Sequence, residues 1–207
     1  MMLHKNMILV SMSCIFLASC STTNNHVSSL QGQKQIKTVY INPDIQKPNN
    51  IYGAETRTKL KSFYQGMTTG FVTNTTANTA DTLAKNNEID IRNIVYQKWN
   101  TQLATNPSIK LTHLSSTDTV LITSIDTYGV GIPLGLSNKY MPVLALNARL
   151  IKNNRVIWQM SERIYPLTKG MPNYSMDDIR RDPTKLYAMW DKASEKLVQN
   201  MAAVIAQ

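Results

Sequence analysis

Two rhythms of apolar residues run along this chain and divide it into strands and helices. Alternation with period two marks half-buried strands, because successive side chains point to opposite faces; recurrence at three and four marks amphipathic helices. Ile36-Lys37-Thr38-Val39-Tyr40-Ile41 alternates and is rich in β-branched residues, which predicts a strand closed by Asn42-Pro43. Asp44 to Ala54, with Pro48-Asn49-Asn50 and Gly53, predicts a loop. Ile91, Ile94, Val95, Trp99 and Leu103 make one stripe, so a helix is expected over 87–104, with Glu88 and Asp90 in its first turn and Asn106-Pro107 ending it. Ile109 to His113 is a short strand candidate. Thr119 to Tyr128 is a nearly unbroken run of β-formers, the profile of a central strand. Gly129-Val130-Gly131-Ile132-Pro133-Leu134-Gly135 is expected to interrupt it as a strand-to-strand loop.

Downstream the pattern is clearer. Leu144, Leu146, Ala148 and Leu150 alternate with Asn147 and Arg149, and Val156-Ile157-Trp158-Gln159-Met160 follows after Lys152-Asn153-Asn154-Arg155. Two asparagines between strands suit a tight turn that needs positive φ, so 143–165 predicts a β-hairpin. Ser175 and Asp178 form a capping pair before a short helical piece. Asp182-Pro183 opens a terminal helix with Asp as N-cap and Pro at the first helical position. Its Leu186, Trp190, Ala193, Leu197, Met201 and Val204 fall on one face, and Trp99 and Trp190 are expected as core anchors. Together these elements predict an α/β (α+β) fold: a mixed sheet of four to five strands with amphipathic helices packed on it.

Arg57 to Lys85 supports two readings. Leu60, Phe63, Tyr64, Met67 and Phe71 have helical spacing, but Gly66, Gly70 and the run Thr73-Asn74-Thr75-Thr76-Ala77-Asn78-Thr79 are poor helix formers. One reading is a marginal helix or mobile excursion with core contacts at one end. The other is a partner-docking or membrane-facing segment in which Arg57, Lys59 and Lys61 sit beside exposed Phe63, Tyr64 and Phe71.

The amino terminus carries different information. A short polar start with His4 and Lys5 precedes the apolar run Met7-Ile8-Leu9-Val10 to Ile15-Phe16-Leu17, then Ala18-Ser19-Cys20. A charged start, a short apolar region and small residues ahead of a cut site make a secretory signal peptide, and the run is shorter than the roughly 20 residues a spanning helix needs. Leu17-Ala18-Ser19-Cys20 resembles the lipobox of bacterial lipoproteins. That resemblance implies cleavage between Ser19 and Cys20, diacylglycerol on the Cys20 thiol and an acylated new amino terminus. Ser21 after the cysteine, by the same resemblance, favours sorting to the outer membrane. The alternative is an ordinary secreted protein in which Cys20 is incidental. The expected organisation is a signal peptide over 1–19, a lipidated polar tether over 20–35 and a single α/β periplasmic domain over 36–207.

Composition narrows the chemistry. The 207 residues carry 22 Lys and Arg against 13 Asp and Glu, a formal charge of +9, and only two cysteines, Cys14 and Cys20. Cys14 lies inside the leader, so the domain has no thiol for a disulfide, zinc cluster or nucleophile. An exported protein seldom meets nucleic acid. The basic excess therefore points to anionic headgroups, lipopolysaccharide phosphates or an acidic partner, or is dispersed solubilising charge. No HExxH, GxSxG or GxxxxGK[ST] occurs, and Gly129-Val130-Gly131 with Gly135 misses the GxGxxG spacing. His113 stands alone, and Asp177, Asp178 and Asp182 are interleaved with Arg180 and Arg181, a self-compensating face. Glycan hydrolysis would need two carboxyl groups brought together by the fold, and Asp126 and Glu162 are candidates only in the sense that nothing in the sequence excludes them. No catalytic residue, metal or cofactor is expected.

The element order resembles a loose group of small envelope-assembly lipoproteins, the curli-secretion lipoprotein and the penicillin-binding-protein activators. The likeness covers about 87–160: a helix like Ile91–Leu103, a strand like Thr119–Tyr128, and a hairpin whose second strand carries the Ile157-Trp158 step. It implies a non-catalytic binding or assembly module held at the periplasmic face of the outer membrane, with an envelope protein as partner and homo-oligomers allowed. The alternatives are an accessory lipoprotein of lipid or lipopolysaccharide transport, and an envelope hydrolase.

Overall fold

The computed structural model describes residues 27–28, 36–52, 74–133 and 138–205. Its strands are β1 (Val27–Ser28), β2 (Thr38–Ile41), β3 (Lys110–Thr112), β4 (Thr119–Gly131), β5 (Lys139–Lys152), β6 (Arg155–Ile164) and β7 (Tyr174–Ser175). The helices are α1 (Asn74–Asn86), α2 (Ile91–Ala104), α3 (Met176–Arg181) and α4 (Thr184–Ile205). The sheet runs β1-β6-β5-β4-β2-β3, with β7 added to the start of β5. Pairing is antiparallel from β1 to β4, whereas β2 is parallel to both β4 and β3. The fold is therefore α+β with a mixed sheet and a long carboxy-terminal helix, as the hydrophobic pattern predicts.

Alternation decides which face is covered. Leu144, Leu146, Ala148 and Leu150 on β5, with Trp158 and Met160 on β6 and Leu121 and Ile125 on β4, are buried on one face; α4 packs on β5 and β6, α1 on β4, and α2 on β2, β3 and α4. The α4 stripe meets them: Leu186, Trp190, Ala193, Leu197 and Met201 are fully buried, while Val204 is only partly covered. Trp99 is buried on α2. Ser175 and Asp178 make a complete capping box at the start of α3. Asp182 Oδ1 accepts from Thr184 N at 3.2 Å and so caps α4.

The hairpin forms around Asn153 and Asn154, at φ 48° and 61°. Left-handed backbone costs an L residue about 1–2 kcal/mol unless it is Gly, Asn or Asp. Asn154→Ala is therefore expected to destabilise by about 1 kcal/mol, whereas Asn154→Gly stays close to wild type. Urea unfolding of the two variants measures the difference.

The described part of the 57–85 span follows the first of its two readings: residues 74–79, disfavoured by their own propensities, are helical in α1 and make core contacts. Ala77, Ala80 and Ala84 are buried, so packing of a narrow small-residue face outweighs the Thr and Asn penalties. Other expectations are corrected. The expected 87–104 helix starts only at Ile91. Asp90 is its N-cap, accepting from Arg92 N at 2.9 Å, and Glu88 lies outside it in a turn at φ 55°. Gly129 to Gly131 does not interrupt β4 but extends it to pair with Val143, Pro142 and Met141. The 42–52 loop is laid along β4, through Asn42 N to Leu121 O (3.0 Å), Ile125 N to Gln46 O (2.8 Å) and Tyr52 N to Tyr128 O (2.7 Å). Pro43 and Pro48 lack the N–H that a regular ladder would use there.

Candidate functional site

Where that segment meets the α1–α2 corner, the fold leaves a cleft of about 360 Å³. Ile51, Ala84, Ile89, Ile91 and Tyr128 give it an apolar wall, and three cations and three acids stand at its edge. Two charge pairs are closed: Lys85 to Asp81 at 2.6 Å and Arg92 to Asp90 at 2.6 Å. The Arg92 hydrogen bonds hold the Asp90 carboxyl below the ordinary range against the opposing effect of burial, and the same contact raises Arg92. Lys47 is placed differently. Its Nζ donates to Tyr128 Oη at 3.1 Å and lies 5.0 Å from the Tyr128 ring centroid. Beneath it, Tyr128 packs edge-on against Trp190, with centroids 5.6 Å apart, and Trp190 Nε1 donates to Gly129 O at 3.0 Å. The cleft wall is thus tied to the core anchor of α4. Its size suits one small amphipathic group with an apolar body and a charged end.

Asp90 gives a pH prediction. A depressed carboxyl contributes stability above its unfolded pKa of about 3.9 and loses it as pH falls through the lower folded value. Asn caps a helix as well as Asp does, so Asp90→Asn isolates the charge. The gap in urea midpoint between wild type and Asp90→Asn is expected to hold from about pH 7 to 5 and to close below about pH 4.

The other face of the sheet is more polar. Ile122, Ser124, Asn147, Gln159 and Ser161 keep partial exposure there and Arg149 is exposed. Asn147 Nδ2 donates to Ser161 Oγ at 2.7 Å across β5 and β6. Asp126 stands at a register irregularity of β4. It stays exposed at its edge, yet burial is the largest influence on its carboxyl and raises it; the Ser124 hydrogen bond and the Arg163 charge pull the other way.

The residues singled out from sequence fare unequally. Ser19, Cys20, Arg57, Lys59, Lys61, Phe63, Tyr64 and Phe71 all lie outside the described residues, as do the leader and most of the tether. His113 is exposed beyond β3. Asp177 pairs with Arg180 at 3.1 Å, while hydrogen bonds from Ser175 depress Asp178. Among the described residues no group of His, Cys, Asp or Glu is arranged to hold a metal, and no described helix is long and apolar enough to cross a membrane. The cleft was missed because Lys47, Arg92 and Tyr128 carry no shared motif; only the fold brings them together.

No family model matches the sequence, and no curated protein does. Among solved structures, the chain is similar to protein XCC0632 from Xanthomonas campestris, of the DUF330 family (TM-score 0.46, 9% identity, 81% of each chain covered). It is also similar to the PelC dodecamer from Paraburkholderia phytofirmans (TM-score 0.35, 10% identity, 86% of this chain and 96% of that one). A second PelC dodecamer from that organism, a point variant, gives 0.34 at 10% identity, over 86% and 94%. Overlap this loose carries neither activity nor assembly state to the present chain.

Proposed function

We propose that this protein is a lipid-anchored module of the bacterial envelope, acting by binding rather than by chemistry on the periplasmic side of the outer membrane. The observation that carries it is Cys20, placed directly after Leu17-Ala18-Ser19 at the end of a short apolar leader, in a chain with no cysteine beyond it. Tethering raises the local concentration of the domain at the membrane, so a weak contact made by the outer sheet face gains by avidity of about 10²–10⁴. Arg149 and Gln159 are candidate positions for that contact.

A photo-cross-linker at Arg149 in the full chain is expected to capture a defined envelope protein in cells, and Cys20→Ser is expected to abolish the capture while leaving an unprocessed precursor that takes up no fatty acid. Capture of the same protein at equal yield by the Cys20→Ser chain contradicts the tether. The second reading, an accessory lipoprotein of lipid or lipopolysaccharide transport, draws on the cleft beside Lys47. It predicts lipid co-purifying with the protein and lost in Lys47→Glu.

A further inference from the structure

The edge strand β1 is antiparallel to β6, with Val27 opposite Gln159 and Ser28 opposite Trp158, so its amino-terminal end is the one on the Ile164 side of the sheet. Cys20 stands seven residues before Val27, a reach of at most ~25 Å, and the distance from Gln159 to Ile164 is about 17 Å. On the lipid-anchor reading above, on which this inference rests, that end of the sheet is the one next to the bilayer.

What is displayed there matches a membrane surface. Beyond Ile164 the chain makes a tight turn, with Thr168 N donating to Tyr165 O at 2.9 Å and Tyr165 N donating to Thr168 Oγ1 at 3.0 Å. Pro166 is buried against Gly131, at the end of β4. The turn is thereby pinned to the sheet, and Leu167 is left 42% exposed at its tip. At the same end of the sheet are Arg163, packed 6.0 Å from the Tyr165 ring centroid, exposed Lys169 within the turn, and exposed Lys139 at the start of β5. Lys196 Nζ reaches the Lys169 carbonyl at 3.2 Å. On this side of the sheet Lys139, Arg163 and Lys169 stand with two acids, Glu162 and Asp126, the latter within the field of Arg163. An apolar tip with cations and a tyrosine at the same end of the sheet suits a bilayer carrying anionic phospholipid: the leucine enters the interface and the cations meet headgroup phosphates. We infer that the Tyr165–Lys169 turn, with Lys139 and Arg163, is a second membrane contact that docks the domain against anionic phospholipid beside its acyl anchor.

The test uses the full chain isolated from membranes and reconstituted into phosphatidylcholine–phosphatidylglycerol vesicles with brominated acyl chains. Leu167→Trp is one reporter. Leu114→Trp, 68% exposed in the loop leading to the opposite end of β4, is the other; the three native tryptophans are buried and common to both. Emission of L167W is expected to shift to the blue and be quenched, L114W to be unaffected, and Lys139→Glu with Lys169→Glu to restore L167W emission. Equal response of both reporters, or no quenching of L167W in a protein that stays with the vesicles, overturns the contact and leaves the anchor standing. Quenching that survives the double charge reversal overturns the assignment to anionic headgroups. A protein that does not stay with the vesicles overturns the anchor and the contact together.

Discussion

Trp190→Ala is expected to lower stability by about 3–5 kcal/mol, the usual cost of removing a large aromatic from a core that cannot close around the cavity. In a domain of this size each kcal/mol moves Tm by roughly 2–4 °C, so thermal unfolding reads the effect directly. Trp190 is fully buried, its indole N–H serves Gly129 O at 3.0 Å, and its ring meets Tyr128 edge-on at 5.6 Å. Trp190→Phe keeps most of the volume but leaves the Gly129 carbonyl short of a donor, which costs about 1–3 kcal/mol. Trp158 offers the contrast: its ring is equally buried, but its Nε1 meets no hydrogen-bond partner among the described residues. Trp158→Phe should therefore cost less than Trp190→Phe. The reverse order would show that the bond to Gly129 contributes little.

Gly129→Ala is expected to cost about 2–4 kcal/mol, combining backbone strain with overpacking. Gly129 has φ 155°, and a Cβ there would stand 2.7 Å from Tyr52 Cβ and 3.0 Å from Tyr52 N. Backbone cannot swing aside as a flexible side chain can. The 51–52 segment must therefore lift from β4, breaking the 2.7 Å bond from Tyr52 N to Tyr128 O and moving Ile51 and Tyr128 in the cleft wall. Because Gly129 O is also the acceptor for Trp190, the double variant with Trp190→Ala should lose less than the sum of the singles. Urea midpoints of the two single variants and the double variant measure that coupling; strict additivity would mean that the two residues do not share one packed unit.

What could be read from the chain and what could not divide along a physical line. The β5–β6 hairpin was legible because it is local: alternation sets the faces, and Asn153-Asn154 supplies the positive φ that the turn requires. The terminal helix was legible for the same reason, since its stripe and the Asp182 cap lie within one stretch of sequence. Gly129 and Gly131 misled because their reason is remote; they are small so that Tyr52 and Pro166 can approach β4, and nothing near them in sequence reveals either neighbour. α1 stayed undecided because its Thr and Asn residues speak against a helix, while the burial that favours one comes from the sheet. The cleft was illegible for a related reason. Lys47 and Tyr128 are 81 positions apart, and a single lysine in a loop gives no sign of the ring that it will cover.

The account depends most on the fate of one sulfur atom, and mass spectrometry of the amino-terminal peptide of the protein extracted from membranes examines it directly. The prediction is a mature chain that begins at Cys20 and carries a thioether-linked diacylglyceryl group. A mature chain that begins at any other residue, or an unmodified Cys20, would contradict it.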